Sequence, residues 1–183
     1  STSALTLSGG KLSSVGATAR AFANNVTLGG DVTLGDATDT GTITFGGNFA
    51  TSASARTVTL LTDLTLNGVA SGTGGWTKAG AGTLTLNGAN SFSGGFNVTS
   101  GNVLVGSATG LGAASNLIAV GTGTSVDLQG NAATIGGLAD ISAAGGTFTN
   151  TGSAVTLTLG GAASSSFTGL ISGNLSLSKT GSA

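Results

Sequence analysis

Residues 74–105 read GGWTKAGAGTLTLNGANSFSGGFNVTSGNVLV, and this stretch decides the fold. Within it, short runs that alternate Thr with Leu or Val are separated by Gly-Gly, Asn-Gly and Ser-Gly pairs. Alternation with a period of two is typical of a strand with one buried face, and glycine permits the positive φ of sharp corners. The opening of the stretch, WTKAGAG at residues 76–82, is paralleled by LSKTGSA at residues 177–183. A unit that recurs in this way favours a β-solenoid.

The composition excludes several classes of protein. Of the 183 residues, 39% are apolar and only 6% are charged, whereas a typical globular domain has about 25% charged residues. Five Lys and Arg residues lie scattered along the chain, so we expect no nucleic-acid partner. There is no run of about 20 apolar residues, so we expect no membrane insertion in this segment. Cysteine is absent, and with it any disulfide framework.

Catalytic chemistry has few side chains available. The chain contains no His, Cys, Tyr or Glu, so common catalytic triads and His/Cys metal sites cannot be built. We therefore expect no enzyme, no catalytic residue, no cofactor and no metal site. Asp31, Asp36 and Asp39 form one cluster, for which catalysis or Ca²⁺ binding are the functional alternatives. Solvated turn residues are favoured, because Asp is common in turns and the GGxGxD repeat of calcium-binding β-rolls does not occur.

The strand pattern leaves two all-β architectures open. About sixteen runs of three to six residues show period-two alternation, which suits an antiparallel sandwich or barrel as well as a β-solenoid. The very short strands, the glycine corners, the internal repeat and the absence of Pro favour the solenoid. At roughly 20 residues per coil the chain would make about 8–9 coils. With ~4.8 Å between stacked strands, the rod would be about 40 Å long.

The predicted core consists of aliphatic and Phe side chains at alternate positions of these runs. A single coil cannot bury them, so stacking of coils must supply the core. The residues assigned to the core columns are Leu5, Leu7, Leu28, Leu34, Ile43, Phe45, Val58, Leu60, Leu64, Leu66, Leu84, Leu86, Val98, Val103, Val105, Ile118, Val126, Leu128, Ile135, Phe148, Val155, Leu157, Leu159, Leu175 and Leu177.

A family resemblance rests on the order and spacing of residues within 74–105. The residues that carry it are Lys78, Gly80, Gly82, Leu84-Thr85-Leu86, Gly88-Ala89-Asn90, Phe92, Gly94-Gly95, Val98, Gly101 and Leu104. This segment resembles the passenger-associated transport repeat of bacterial autotransporters, the type V secretion proteins. Trp76 and Phe96-Asn97 depart from the usual pattern. The resemblance implies a right-handed parallel β-helix that is exported to the cell surface of a Gram-negative bacterium.

We interpret residues 1–183 as a single β-solenoid segment of a longer surface protein. It contains a passenger-associated repeat at 74–105 and a second copy that starts near residue 175. The expected role is structural, as an extracellular stalk, spacer or fibre-forming segment. Its expected partners are adjoining parts of a longer chain, or copies of itself stacked head to tail. The alternative is an adhesin module that binds a host or matrix glycan or protein through a patch near Trp76 or Phe92.

Three further groups of side chains have both a functional and a structural interpretation. The Thr-x-Thr pairs would form a flat ice-binding array if they aligned, although Thr is ordinary on outer strand faces. Trp76 and the seven Phe residues would form an exposed binding patch, but filling of the core is favoured. Lys78 and Lys179, at matching repeat positions, are expected to be solvated or bonded to corner carbonyls. The Thr pairs are Thr42/Thr44, Thr57/Thr59, Thr83/Thr85, Thr147/Thr149 and Thr156/Thr158.

Overall fold

The structure is a computed structural model that describes residues 3–162 and 164–182. Every secondary-structure element among these residues is a strand. The described residues therefore contain no helix that could cross a bilayer. The strands are β1 (Leu5–Leu7), β2 (Lys11–Leu12), β3 (Arg20–Phe22), β4 (Val26–Leu28), β5 (Val32–Leu34), β6 (Ile43–Phe45), β7 (Phe49–Thr51), β8 (Arg56–Leu60), β9 (Leu64–Leu66), β10 (Ala70–Ser71), β11 (Trp76–Ala79), β12 (Leu84–Leu86), β13 (Phe96–Val98), β14 (Asn102–Val105), β15 (Leu117–Val120), β16 (Ser125–Asp127), β17 (Ala133–Ile135), β18 (Gly137–Asp140), β19 (Thr147–Leu159) and β20 (Leu170–Lys179).

These strands form three sheets around a common core. Sheet 1 has the order β1-β4-β7-β10, and sheet 2 has the order β18-β15-β13-β11-β8-β5-β2. Sheet 3 has the order β17-β19-β16-β14-β12-β9-β6-β3, with β20 also paired to β19. Every pair between these strands is parallel. The architecture is a β-solenoid, as predicted, and the antiparallel sandwich is excluded.

Paired residues are separated by about one coil of chain. The separation is 19 residues for Leu84 and Val103, and 26 residues for Val32 and Val58. The separation is longest where the coil contains the extended corner at residues 35–42. About eight turns result, which agrees with the coil length of roughly 20 residues expected from the sequence.

Inward side chains stack in register and form a continuous core. Each strand repeats the alternation of inward and outward side chains of the strand it pairs with, because parallel in-register pairing places every inward position above another inward position. Outward Thr residues occupy the intervening positions, as at Thr44, Thr65 and Thr85. One column, at most 1% exposed at each position, runs through Ile43, Leu64, Leu84, Val103, Val126 and Phe148.

The predicted core is confirmed at most positions, with exceptions near both ends of the rod. Leu5, Leu7, Val155, Leu159 and Leu175 are half-buried. The assignment of Leu177 to the core is wrong, since its side chain is 53% exposed. Leu177 lies in register above the buried Leu157, but no strand among the described residues pairs on its other side. The aromatic residues Phe49, Trp76, Phe92 and Phe96 are buried, as the favoured interpretation expected. Buried aliphatic residues that the prediction omitted are Val26, Val32, Ala70, Leu111, Ala119, Val120, Ala133 and Leu138.

At the corner between sheets 3 and 1, successive coils approach too closely for a side chain. A Cβ on Gly47 would collide with the carbonyl oxygen of Asn24 in the coil below. The same collision would occur between Gly68 and the carbonyl of Gly47, and between Gly88 and the carbonyl of Gly68. In contrast, a Cβ on Gly46 would come no closer than 3.5 Å to any of these neighbouring atoms.

Two adjacent alanine substitutions therefore test the stacking of this corner. We expect Gly47→Ala to destabilise the fold by about 1–3 kcal/mol, because backbone must move to relieve the overlap. Gly46→Ala is the matched control and should be neutral or slightly stabilising, by up to about 1 kcal/mol, through the entropy of the unfolded chain. Chemical denaturation of both variants measures the difference. Equal stabilities would contradict the close approach of the coils.

Candidate functional site: a buried lysine between two coils

Lys78 is the one charged residue whose side chain is fully buried among the residues described. It lies in β11 on the inward side, paired with Val58 on one side and Val98 on the other. Its Nζ donates hydrogen bonds to the carbonyl oxygens of Gly80 and Ser100, both at 2.6 Å. Gly80 belongs to the same coil as Lys78 and Ser100 to the next, so the ammonium group links two coils.

A glycine makes room for this ammonium group. Gly101 has φ +70°, and a Cβ at this position would collide with Lys78 Nζ. The same Cβ would also lie 2.6 Å from the carbonyl oxygen of Gly82 and 2.7 Å from that of Gly80. We call the set Lys78, Gly80, Ser100 and Gly101 the lysine clamp.

Burial governs the protonation of the lysine clamp. It lowers the pKa of Lys78 from its usual 10.5 to about 8, and the negative charge of Asp63 opposes this shift. The physical cause is the loss of hydration, which disfavours the charged form of an amine. The two carbonyl acceptors accept hydrogen bonds from either form of the amine.

Lys179 repeats the local geometry of Lys78 in a different setting. Its Nζ donates to the carbonyl of Gly181 at 2.8 Å, two residues ahead, as Lys78 does to Gly80. The side chain is exposed, and Gly181 is its hydrogen-bond acceptor among the described residues. Of the two alternatives expected for these lysines, solvation or a bond to a corner carbonyl, the carbonyl bond occurs at both, and Lys179 is exposed to solvent as well.

The Asp cluster predicted near residue 36 is not brought together as a site. Asp36 pairs with Lys11 and accepts hydrogen bonds from Thr38 and from the backbone of Asp39. These contacts, led by the Lys11 hydrogen bond, hold the pKa of the Asp36 carboxyl well below its usual range. Asp31 instead accepts the N–H of Thr57 at 2.9 Å. No group of three potential metal ligands occurs in residues 3–162 and 164–182.

Most carboxylates serve as contacts between coils, a role that the sequence did not reveal. Asp63 accepts the backbone N–H of Thr83 at 2.7 Å. Thr residues in the following coil also donate to Asp127 and Asp140. Burial raises the pKa of Asp127, but hydrogen bonds from Thr151 and Gln129 outweigh burial, and the net shift is downward. In the sequence, the feature that these contacts share is a Thr that follows the Asp by about one coil length.

The aromatic side chains fill the core and form no exposed patch. Trp76 and Phe92 are at most 1% exposed, so the favoured interpretation, filling of the core, is confirmed for these two side chains. Ring centroids lie 6.0 Å apart for Phe45 and Phe49, 5.8 Å for Phe49 and Trp76, and 5.0 Å for Trp76 and Phe96. The aromatic rings thus contact one another through the middle coils of the rod.

On sheet 3 the outward Thr residues do not form a continuous flat array, which agrees with the favoured interpretation of ordinary outer-face Thr. Thr44, Thr65 and Thr85 do align on the outer face of sheet 3. The same column then continues with Leu104 and Asp127, which interrupt the hydroxyl lattice. Regular spacing in two dimensions is therefore absent from this face.

One surface groove has the volume of a small-ligand site, about 410 Å³. It lies between residues 108–114 and the outer faces of β17 and β19. It carries no charged or aromatic side chain, so it offers only methyl, hydroxyl and backbone groups. Its lining consists of Ala108, Thr109, Gly112, Ala114, Ala132, Ala133, Thr134, Thr156 and Thr158.

The pKa of Lys78 predicts a rise in stability with pH. Folded Lys78 loses its proton near pH 8, whereas in the unfolded chain it does so near pH 10.5. The unfolded state therefore binds more protons between these values, and the unfolding free energy should increase by about 3 kcal/mol across this range. Lys78→Met removes the titrating group and should lack this increase. Denaturation of both proteins across the range measures it, and parallel pH profiles would contradict the burial of the ammonium.

Comparison with known proteins agrees with the repeat and the fold. Residues 77–105, which contain the lysine clamp, match the model of the passenger-associated-transport-repeat. The chain is 40% identical over 97 residues to the adhesin BmaC autotransporter of Brucella suis biovar 1 (strain 1330). The match covers 51% of this chain and 3% of that protein, so the chain spans a small part of the relative's length. No solved structure matches the chain.

Three findings converge: the parallel β-solenoid, the repeat built around Lys78, and the similarity to an autotransporter over half of the chain. They also indicate an extracellular location at the cell surface. The chain is a β-solenoid that carries a passenger-associated-transport-repeat at residues 77–105 and is similar over half of its length to part of an autotransporter.

Proposed function

We propose that this segment is a rigid spacer within a surface-exposed passenger, joined at its ends to adjoining coils of a longer chain. The observation that carries the proposal is the unbroken outward column from Ala21 in β3 to Ser172 in β20, which passes through eight strands in register. A rod with a continuous core and inter-coil hydrogen bonds resists bending, because each coil is fixed by both neighbours.

The surface chemistry supports a structural role. Outward positions carry mainly Thr, Ser, Asn and Ala, and several charged groups make contacts between coils, as Asp63 and Asp127 do. Stacking of free copies head to tail is a variant of this proposal, since a heterologous contact between open ends would yield fibres. Adjoining coils are favoured, because the relative is far longer than this chain.

Binding of a host glycan or protein is the second candidate function. It is favoured by the adhesin name of the relative and by the neutral groove beside residues 108–114. The two functions differ in their sensitivity to outward substitutions. A spacer tolerates Thr156→Arg in the groove, whereas an adhesin that uses this groove would lose attachment to host cells.

Distance measurement between spin labels tests the spacer. The chain has no Cys, so Ala21→Cys and Ser172→Cys introduce two unique labelling sites in one outward column. Seven steps of ~4.8 Å predict a Cα separation of about 34 Å, with a narrow distribution if the rod is rigid.

Deletion of one complete coil provides a second, matched distance measurement. Removal of residues 65–84 joins Leu64 to Thr85 and takes out one coil in register, since Leu64 pairs with Leu84. The label distance should shorten by about 4.8 Å. A broad distribution, or a distance that does not change with the deletion, would contradict the spacer.

A further inference from the structure

Two side chains in adjacent coils have buried donors without an acceptor. Arg56 Nε and Trp76 Nε1 are both buried, and neither makes a hydrogen bond among the described residues. The two residues pair with each other across β8 and β11, and both lie on the inward side, as Val58 and Lys78 do two residues later. The amine of Lys78, in contrast, has two carbonyl acceptors.

The charge of Arg56 has no partner in the described part of the chain. The ion pair found there lies elsewhere, between Lys11 and Asp36. The guanidinium makes one long hydrogen bond within these residues, from Nη1 to the carbonyl oxygen of Ala55 at 3.4 Å. A buried donor without an acceptor is costly, and the cost is larger when the donor belongs to a charged group.

The corner around Arg56 offers room and access from solvent. Gly30 stands two residues before Val32, as Arg56 stands two before Val58, so the coil below has no side chain at this position of the column. The side chain of Arg56 as a whole is half-buried, so solvent reaches part of it. The carboxylate of Asp31 is bonded to a backbone N–H of the next coil and forms no ion pair with Arg56.

We infer that Arg56 and Trp76 bind a small monovalent anion at this corner, with Arg56 Nε and Trp76 Nε1 as its donors. An anion satisfies both donors and balances the charge, whereas water satisfies the donors alone. Hydrogen bonds between charged groups are also the stronger ones. The edge of an aromatic ring is the positive part of its quadrupole, so the N–H edge of the indole suits an anion.

The competing arrangement is a contact of the indole N–H with the ring of Phe92. The Trp76 and Phe92 centroids lie 5.4 Å apart with an interplanar angle of 86°. An N–H contact with an aromatic face is weak, and it leaves Arg56 Nε without an acceptor. The anion site goes beyond the role of a spacer, because it makes the contact between two coils depend on the ions outside the protein.

The unfolding midpoint tests the site, because a ligand that binds only the folded chain raises it. Chloride replaces the much larger gluconate at constant ionic strength. Trp76 is the only Trp of the chain, so its fluorescence reports on the site and on unfolding. We expect a saturable rise of about 3–6 °C when the chloride concentration is about ten times the dissociation constant.

Three variants assign the response to its donors. Arg56→Met should abolish the saturable rise. Trp76→Phe keeps an aromatic ring but removes the N–H, and should weaken chloride binding about fivefold, as measured by calorimetry. Arg20→Met is the matched control, because Arg20 also begins a strand at an inward position but has an exposed side chain. It should keep the full response.

Crystals of the unmodified chain soaked in bromide locate the ion without any variant. We expect an anomalous peak in hydrogen-bond contact with Arg56 Nε and Trp76 Nε1. The inference is overturned if no bromide contacts these two atoms. It is equally overturned if the midpoint does not respond to chloride, or if folded Arg56→Met responds as the unmodified chain does.

Discussion

Each coil of this protein lies on its neighbour at the spacing of the hydrogen bond between parallel strands, ~4.8 Å, and the remaining features follow from that contact. The backbone of one coil supplies the acceptors for the next, as in the bond from Leu64 N to Thr83 O. Side chains must then repeat in register, because an inward residue faces the same position one coil away. A single coil has no core of its own, so stability arises from the interfaces between coils.

The same spacing decides where glycine and charge are allowed. At the corner of Gly47, Gly68 and Gly88, carbonyl oxygens of the coil below occupy the space of a Cβ. Asp63 and Asp127 accept hydrogen bonds from N–H groups of the following coil, so these carboxylates act as contacts along the rod. Lys78 performs the complementary task inside the core, where it supplies donors to carbonyls of two coils. A chain with 6% charged residues thus uses several of those charges to join coils.

Sequence patterns predicted the parts of this structure that depend on local periodicity. Alternation and glycine corners indicated a solenoid, and the matching positions of Lys78 and Lys179 led to corner carbonyls as one of two expected settings for these amines. Features that depend on register could not be predicted, because coil lengths vary from 19 to 26 residues. The Thr column gives way to Leu104 and Asp127 for this reason. Leu177 has the alternation of a core residue, but its burial requires a covering strand that local sequence does not supply.

Disulfide cross-linking tests the register most directly, because the chain contains no competing cysteine. Thr44→Cys with Thr65→Cys places two outward cysteines one coil apart. Their Cα separation then lies within the range of about 4.4–6.8 Å that is usual for disulfides. Thr44→Cys with Thr85→Cys places them two coils apart, at roughly 10 Å, too far to be bridged without backbone movement. The account predicts rapid, nearly complete oxidation of the first pair and none within the second. Equal oxidation of both pairs, or of neither, would contradict the in-register stack.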